Sequence, residues 1–380
     1  MAQFFIDPTT AKQLLRWTFG SSRGSVRRAG YFAGFAGLFG VVNSSLYAAQ
    51  RMDDLLYPGY RSQEIDAPLF VFSNPRSGST WLHNLLSLDE ERFTNFQLWQ
   101  TIFPSVCANR TVNIAERLEA HLGKPFKHWI ELVNEFFFTR WNGIHDTGLS
   151  RPEEDEAIFV LALLGSGLIL LFPEAVAYDR VNSLDELEEP VRRGMMDVYR
   201  KSIQRHLYAN GGRTLLTKNV FTATRVRSLL ETFPDARFLY IMRDPLDAIP
   251  SCINLFHVPW TAHTPSIYPK GPETRAVADW AIRQYQHALA CRDFVPPSQF
   301  ALVRYEDLSG DPTATVEEVY QKFGYEMKRE FRRKLEDATK DGRSDSFKST
   351  QRFTLEYWGI ERAYVYDRLR PLFDEFGYKV

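Results

Sequence analysis

The sequence predicts a three-layer α/β/α protein, in which helices cover both faces of a central parallel sheet of four or five strands. The prediction rests on a pattern that recurs along the chain: a short apolar run, a turn, and then a helical stretch. Four segments follow this pattern, and they begin at Phe70, Arg213, Arg237 and Phe300. Apolar runs of this length are typical of strands buried on both faces, and their alternation with helices favours parallel pairing through right-handed crossovers.

The first apolar run ends in a loop suited to holding an anion. After Phe72 and Ser73 the chain reads Asn74-Pro75-Arg76-Ser77-Gly78-Ser79-Thr80-Trp81-Leu82 and enters a helix. Backbone N–H groups of such a turn converge with those of the helix start, where the helix dipole adds partial positive charge. Arg76 adds a full charge beside these donors. The loop is therefore P-loop-like, but it lacks the Gly-Lys-Ser/Thr of nucleotide triphosphate loops, because Ser79 follows Gly78.

Two later strands also end in basic residues. Lys218 ends the second predicted strand and Arg243 ends the third, and Ser251 lies about two turns into the helix that follows Arg243. Ligands of open α/β sheets bind outside the carboxyl ends of the strands, so we expect Arg76, Lys218 and Arg243 to surround one nucleotide. The residues alone leave two alternatives open: a solvated lysine at position 218, and a surface ion pair between Arg243 and Asp247.

At these motifs the chain resembles the sulfotransferases that use 3′-phosphoadenylyl sulfate (PAPS), of the bacterial and tyrosylprotein types. Residues 75–81 match seven consecutive positions of the family's phosphosulfate loop, Pro-Lys/Arg-Ser-Gly-Ser/Thr-Thr-Trp/Leu. The resemblance covers residues 65–380 by motif order. It implies PAPS as co-substrate and the following donor-binding residues: Arg76, Ser77, Gly78, Ser79, Thr80, Trp81, Arg243, Ser251, Lys348 and Ser349.

The resemblance also implies separate roles within that set. Arg243 and Ser251 would hold the 3′-phosphate, and Lys218 would touch the sulfuryl group and the bridging oxygen. Lys348 and Ser349 stand where relatives lay a loop over the 3′-phosphate and adenine, although Gln351 replaces the histidine that many relatives carry there.

The implied reaction is in-line transfer of the sulfuryl group from PAPS to a hydroxyl or amine of an acceptor, with Arg76 and Lys218 as catalytic residues. A general base must take the proton of the acceptor. Tyrosylprotein enzymes use a glutamate shortly after the phosphosulfate loop, but here that segment ends at Gln100 without an acid. Glu154 is the first candidate, because the acidic stretch at residues 153–156 resembles a motif of bacterial-type enzymes, and His145 is the second. The helix dipole explains the same acids equally well if they form a first helical turn.

Two functions of other classes stay open from the residues alone. One is a catalytically inactive PAPS-binding protein that retains the nucleotide cradle without a base, which Gln100 and Gln351 suggest. The other is a small-molecule kinase-like phosphotransferase on the same kind of loop, against which the missing Gly-Lys-Ser/Thr argues.

Composition narrows the partners of the protein. The net charge of −1 gives no indication of nucleic-acid binding, and the sequence gives none of oligomeric state. Three dispersed cysteines and eight histidines without ligand spacing predict neither a disulfide framework nor a metal site. Twenty-nine phenylalanines favour a hydrophobic acceptor such as a lipid, polyketide, sterol or aromatic alcohol. The apolar residues 157–172 predict one buried helix that ends at Pro173.

The N-terminus predicts a helical extension over residues 1–60, followed by a catalytic domain over 61–380. No charged residue occurs from Ala29 to Gln50. The basic residues before this stretch are Lys12, Arg16, Arg23, Arg27 and Arg28. Length and flanking charge suit a membrane anchor or an interfacial helix, and a helix packed on the catalytic domain is equally compatible. The predicted location is cytoplasmic or membrane-associated, with membrane contact through residues 29–50.

Overall fold

A computed structural model describes residues 5–20, 26–122, 152–340 and 353–379. Within these ranges lies a parallel sheet of five strands, which confirms the predicted number and direction. The strands are β1 (Leu69–Ser73), β2 (Phe93–Thr94), β3 (Thr214–Lys218), β4 (Arg237–Met242) and β5 (Phe300–Arg304). Their order across the sheet is β2-β3-β1-β4-β5, so β1 lies at the centre between β3 and β4.

Helices cover both faces of the sheet. In the N-terminal half of the described chain they are α1 (Pro8–Phe19), α2 (Val26–Leu56), α3 (Ser79–Leu86), α4 (Leu98–Ile102), α5 (Val106–Leu122), α6 (Glu156–Leu161), α7 (Asp179–Asn182) and α8 (Glu189–Asn210). In the C-terminal half they are α9 (Val226–Thr232), α10 (Pro245–His263), α11 (Pro272–Ala290), α12 (Tyr305–Gly310), α13 (Pro312–Phe323), α14 (Arg329–Lys340) and α15 (Arg362–Phe376). Short 3₁₀ helices occupy Pro58–Ser62, Ser166–Leu170, Pro173–Ala177, Leu184–Glu186, Thr222–Thr224, Cys291–Asp293 and Pro297–Gln299.

The central strand divides the core in two, because alternate side chains of a strand point to opposite faces. Phe70 and Phe72 pack toward the larger cluster, which includes side chains of α6, α8, α10 and α11. Leu69 and Val71 pack toward the smaller cluster, formed with α3, α13 and α14. The three-layer α/β/α architecture is therefore confirmed. All five residues of β1 are buried, as expected for a strand covered on both faces.

The segment 157–172 differs from its prediction as one helix. It is buried as expected, but α6 ends at Leu161 and Leu163 takes a positive φ of 59°. The Glu156 carboxylate accepts a hydrogen bond from the Gly167 N–H at 2.7 Å, which draws the chain back over α6. A Cβ at Gly165 would lie 2.7 Å from the same carboxylate oxygen, so this return requires glycine there.

The N-terminal helix α2 lies against the rest of the described chain along one face. Near its start, Arg28 pairs with Glu174 at 2.7 Å, and near its end the buried Asp53 pairs with Arg205 at 3.1 Å. Within the described residues, α2 is the helix whose length and composition would allow it to cross a membrane.

Candidate active site

The loop between β1 and α3 has the tight conformation of an anion-binding turn. Arg76 has a φ of 70° and Gly78 a φ of 84°, so two residues adopt the left-handed region within three positions. At Arg76 this conformation costs roughly 1–3 kcal/mol, which the surrounding contacts must offset. A Cβ at Gly78 would lie 2.8 Å from the ring of Tyr305, the first residue of α12. The start of the helix that follows β5 therefore packs directly against the loop at Gly78.

Asn74 anchors the start of this loop. Its side-chain amide donates to the Ala281 carbonyl of α11 at 3.0 Å, and its side-chain oxygen accepts from the Tyr240 hydroxyl of β4 at 3.1 Å. Both bonds are buried. Asn74 thus fixes the point at which the chain leaves the sheet, a role that the sequence pattern did not indicate.

Three of the predicted donor-binding residues, Arg76, Arg243 and Ser251, lie together. Arg76 Nε donates to the Ser251 hydroxyl at 3.1 Å, and Arg243 Nη1 donates to the Arg76 carbonyl at 2.6 Å. The Arg243 guanidinium also lies over the Tyr305 ring, 4.5 Å from its centroid. Burial lowers the pKa of Arg76, and the adjacent positive charge of Arg243 lowers it further. The two guanidinium groups make this end of the sheet a positive site.

Polar atoms at this site remain without partners in the described part of the chain. Ser77 Oγ and Arg243 Nε are buried and have no hydrogen-bond partner among the described residues. Asp247, the alternative partner of Arg243, lies 4.0 Å away with its side chain 71% exposed, so this ion pair is weak. Buried donors are normally satisfied, and an anion seated in the loop would satisfy these.

Lys218 lies beside the loop and contacts the acidic stretch. Its Nζ donates to Thr80 Oγ1 at 2.9 Å and lies 3.1 Å from Glu154 Oε1 and 3.6 Å from Glu153 Oε1. The Lys218 side chain is only 1% exposed, which excludes a solvated lysine at the end of β3. One cation therefore bridges the first turn of α3 and two carboxylates.

Burial and neighbouring charges shift the pKa values of this pair. Burial raises the pKa of Glu154 to about 7, although the positive charge of Lys218 opposes this shift. Burial also disfavours the charged form of Lys218, but the charges of Glu154 and Glu153 outweigh it and raise the pKa of that lysine. Lys218 is therefore protonated at neutral pH, while Glu154 titrates there. A carboxylate with a pKa near 7 suits proton transfer at physiological pH.

The other two acids of the stretch have structural partners. Asp155 accepts from Tyr199, from Thr217 Oγ1 at 2.9 Å and from Asn219 Nδ2 at 2.6 Å. Glu156 forms a buried ion pair with Arg225 at 2.7 Å. Because α6 begins at Glu156, Glu153 and Glu154 lie before the helix rather than in its first turn. The buried network at Asp155 and Glu156 fixes the stretch so that the two preceding carboxylates face Lys218.

Comparison with known proteins identifies the family of this chain. The sequence model of the sulfotransferase family matches residues 68–329, which include the loop, β3 and β4. The chain belongs to the sulfotransferase family. It is an enzyme that transfers a sulfuryl group from a sulfonate donor to an acceptor, so neither an inactive binding protein nor a kinase is favoured.

Curated relatives and solved structures agree with this assignment. Two proteins named omega-hydroxy-beta-dihydromenaquinone-9 sulfotransferase Stf3, from Mycobacterium bovis and Mycobacterium tuberculosis, are each 28% identical over 323 residues, which is 80% of this chain and 77% of theirs. The sulfotransferase STF1 of Mycobacterium tuberculosis H37Rv has a TM-score of 0.70 at 20% identity and covers 96% of this chain and 91% of its own. STF9 of Mycobacterium avium has a TM-score of 0.72 at 16% identity, with 99% and 93% covered. At these identities the two structures show the shared fold.

Not every predicted site residue of this sulfotransferase reaches the cradle. The Trp81 side chain packs into the smaller core cluster beneath the loop and is 9% exposed. Gln100, which stands where an acid was sought, is buried and donates to Asn109 Oδ1 at 2.7 Å. His145, Lys348 and Ser349 lie outside the described residues.

The sequence did not predict the contact of Glu153 with Lys218, and it did not single out His83. Glu153 faces Lys218 together with Glu154, and a contact across more than 60 residues leaves no local signal in the sequence. His83, on α3, is fully buried, and burial together with the charge of Lys218 lowers its pKa to about 3. The imidazole is therefore neutral at neutral pH, and it adds no second positive charge near Lys218.

The described ranges contain no side-chain arrangement suited to a metal ion. No cluster of three or more His, Cys, Asp or Glu side chains in them is arranged to hold a metal ion. The three cysteines are unpaired thiols, and burial raises the pKa of Cys107 to about 11.

Proposed function

We propose that the sulfonate donor is PAPS and that the positive loop site binds it. Arg76, the backbone of residues 76–80 and the Ser77 hydroxyl would hold the phosphosulfate, and Arg243 with Ser251 would hold the 3′-phosphate. Support comes from the two adjacent guanidinium groups, the buried partnerless donors, and the close approach of Tyr305 to Gly78, which leaves the loop no room for a side chain there. Lys348 and Ser349 are proposed to complete the 3′-phosphate site on the resemblance alone.

The contact that carries the proposed chemistry is the 3.1 Å separation of Lys218 Nζ from Glu154 Oε1. Glu154 is the proposed general base, and Lys218 is the proposed cation at the leaving group. The acceptor oxygen forms a bond to sulfur while the bond from sulfur to the bridging oxygen breaks, and adenosine 3′,5′-bisphosphate leaves. The acceptor proton passes to Glu154, and Lys218 stabilises the charge that develops on the bridging oxygen. His145 is the reserve candidate for the base.

The proposed acceptor is a hydrophobic alcohol of lipid-like character. The composition favours such an acceptor. The Stf3 relatives are named after a hydroxylated menaquinone as the acceptor. An amine acceptor stays open as the second choice. We also propose that residues 1–60 form an extension to a catalytic domain over 61–380, and that residues 29–50 contact a membrane, which would make the enzyme membrane-associated rather than freely cytoplasmic.

Donor use and acceptor class are tested in one assay. The purified chain would be incubated with PAPS and either a long-chain isoprenoid alcohol in detergent micelles or a short water-soluble alcohol. Mass spectrometry would detect the sulfate ester and adenosine 3′,5′-bisphosphate. We expect equal amounts of both products with the isoprenoid alcohol and little with the short one. Turnover of ATP with magnesium in place of PAPS would contradict the proposed donor, and preference for the short alcohol would contradict the proposed acceptor.

A further inference from the structure

Exposed apolar side chains of this protein are concentrated on its two N-terminal helices. Among the described residues, fourteen large hydrophobic side chains are exposed; eight of them lie on α2 and two, Leu15 and Phe19, lie on α1. On α2 they include Tyr31, Leu38 and Val41, with exposures of 38%, 58% and 65%. Scattered exposed hydrophobics are normal in soluble proteins, but ten of fourteen on one pair of helices form a patch that indicates an interaction surface.

The same face of α2 contains four glycines with open space in front of them. A Cβ placed on Gly30, Gly34, Gly37 or Gly40 would have no neighbouring atom within 4 Å. Nothing within the described chain therefore requires these residues to be glycine. Each glycine in a helix costs about 1 kcal/mol relative to alanine, so a helix that is both glycine-rich and uncharged from Ala29 to Gln50 is poorly suited to water.

The opposite face of α2 packs against the rest of the described chain. Arg28 pairs with Glu174, Gln50 donates to the Pro104 carbonyl at 3.3 Å, and Asp53 accepts from Ser105 Oγ at 3.0 Å. These contacts extend over residues 28–53, a helix length of about 38 Å. A spanning orientation would break all of them and place Asp53 without its partners, so α2 can meet a bilayer only along its outer face.

Charge selects a lipid surface as the occupant of this face over a second copy of the chain. Arg27, whose guanidinium also donates to the Ala262 carbonyl, and Arg51 are exposed at its two ends, and Lys12 and Arg16 are exposed on α1. Two copies of α2 packed through this face, either antiparallel or parallel, would bring like charges at positions 27 and 51 together. Anionic lipid headgroups complement the same charges, and each exposed Lys or Arg adds to the attraction.

We propose that α1 and the outer face of α2 dock in the plane of an anionic membrane surface without crossing it. Leu15, Phe19, Leu38 and Val41 enter the boundary between headgroups and acyl chains, while Lys12, Arg16, Arg27 and Arg51 contact the headgroups. The inference rests on the membrane contact proposed above for residues 29–50, which it specifies, and it does not depend on the identity of the donor or acceptor.

Vesicle co-sedimentation of the full chain tests this docking surface. The vesicles would contain either phosphatidylcholine alone or phosphatidylcholine with phosphatidylglycerol. The variants tested would be Gly37→Glu and Val41→Glu. Gly310→Glu is the matched control, because Gly310 is also an exposed helical glycine with nothing within 4 Å of an added Cβ. We expect the wild type to bind the anionic vesicles and each α2 variant to bind at least about tenfold more weakly, with Gly310→Glu unchanged.

Several outcomes would overturn the proposal. The first is a wild type that does not bind anionic vesicles, and the second is binding of the α2 variants as strong as that of the wild type. The third is retention of the membrane-bound chain through an alkaline carbonate wash, which would indicate a spanning helix. If the wild type did not bind vesicles but formed a dimer in sedimentation velocity, and Gly37→Glu dissociated that dimer, the face would be assigned to a second copy of the chain. Binding of adenosine 3′,5′-bisphosphate by Gly37→Glu would be measured in parallel, because retained binding separates a failure of docking from a failure of the donor proposal.

Discussion

Lys218 Nζ lies 3.1 Å from Glu154 Oε1 and 2.9 Å from Thr80 Oγ1, so a single buried cation joins an acidic stretch to the first turn of α3. The two contacts place a carboxylate that titrates near neutrality beside the loop that would hold the donor. Proton acceptance and charge stabilisation can then be supplied by neighbouring side chains within one site.

Activity should rise with pH through the titration of Glu154. Its pKa is raised to about 7, and only the carboxylate form accepts a proton. We therefore expect kcat/KM to fall about tenfold per pH unit well below pH 7 and to level off above it. A pH–rate profile from pH 5.5 to 8.5 measures this. Lys218→Met removes the charge that opposes the raised pKa, so its residual activity should show an inflection at higher pH; a flat wild-type profile would contradict the assignment.

Arg243→Ala should weaken binding of adenosine 3′,5′-bisphosphate by roughly 1.5–3 kcal/mol, the usual range for a charge-assisted hydrogen bond. Calorimetry without magnesium would give the dissociation constant. Asp247→Ala is the matched control, because it removes only the weak ion pair at 4.0 Å. If both variants lost the same affinity, Arg243 would act through that pair rather than on the nucleotide.

Gly78→Ala should destabilise the protein by about 1–3 kcal/mol, because it forces a side chain into a φ of 84° and against the Tyr305 ring. Gly310→Ala is the control, since its Cβ would meet nothing within 4 Å and a helical alanine should be neutral or slightly stabilising. Urea unfolding of both variants measures the difference. Equal stabilities would show that the loop tolerates a side chain at position 78.

Acid should destabilise the fold in part through His206. Burial, aided by the charge of Arg213, lowers its pKa to about 3, against 6.5 in the unfolded chain. The unfolded state therefore binds the extra proton first, so the contribution of this histidine is complete above pH 6.5 and is lost as the pH falls toward 3, by up to about 1.4 kcal/mol per pH unit. Unfolding free energies at pH 7, 6 and 5 should decline less steeply for His206→Gln. An unchanged slope would show that His206 is not buried in its neutral form.

The positive loop site was predictable because its parts are encoded locally. Each strand–turn–helix unit carries its own apolar run and its own polar turn, and the carboxyl ends of parallel strands must meet at one edge. Arg76, Arg243 and Ser251 are therefore brought together as the sequence indicated. The strand β2 escaped notice because its two residues are too few to form a periodic pattern.

Features that depend on distant contacts were not predictable. The pairing of Glu153 and Glu154 with Lys218 requires the buried partners of Asp155 and Glu156, which come from other elements. The break after α6 depends on how closely Gly165 and Gly167 approach Glu156, and hydrophobic periodicity does not report such an approach. The Trp81 side chain faces the core because it follows the helical period of α3 rather than the loop.

The most direct test of the account is the turnover of Glu154→Gln with PAPS and a hydrophobic alcohol. We expect a loss of 10²–10⁴-fold in kcat with unchanged affinity for adenosine 3′,5′-bisphosphate, because only proton acceptance is removed. Glu153→Gln, whose carboxylate lies 3.6 Å from the same lysine, should lose far less. Wild-type turnover by Glu154→Gln would contradict the proposed base, and an equal loss of nucleotide affinity would show that Glu154 serves the structure of the cradle instead.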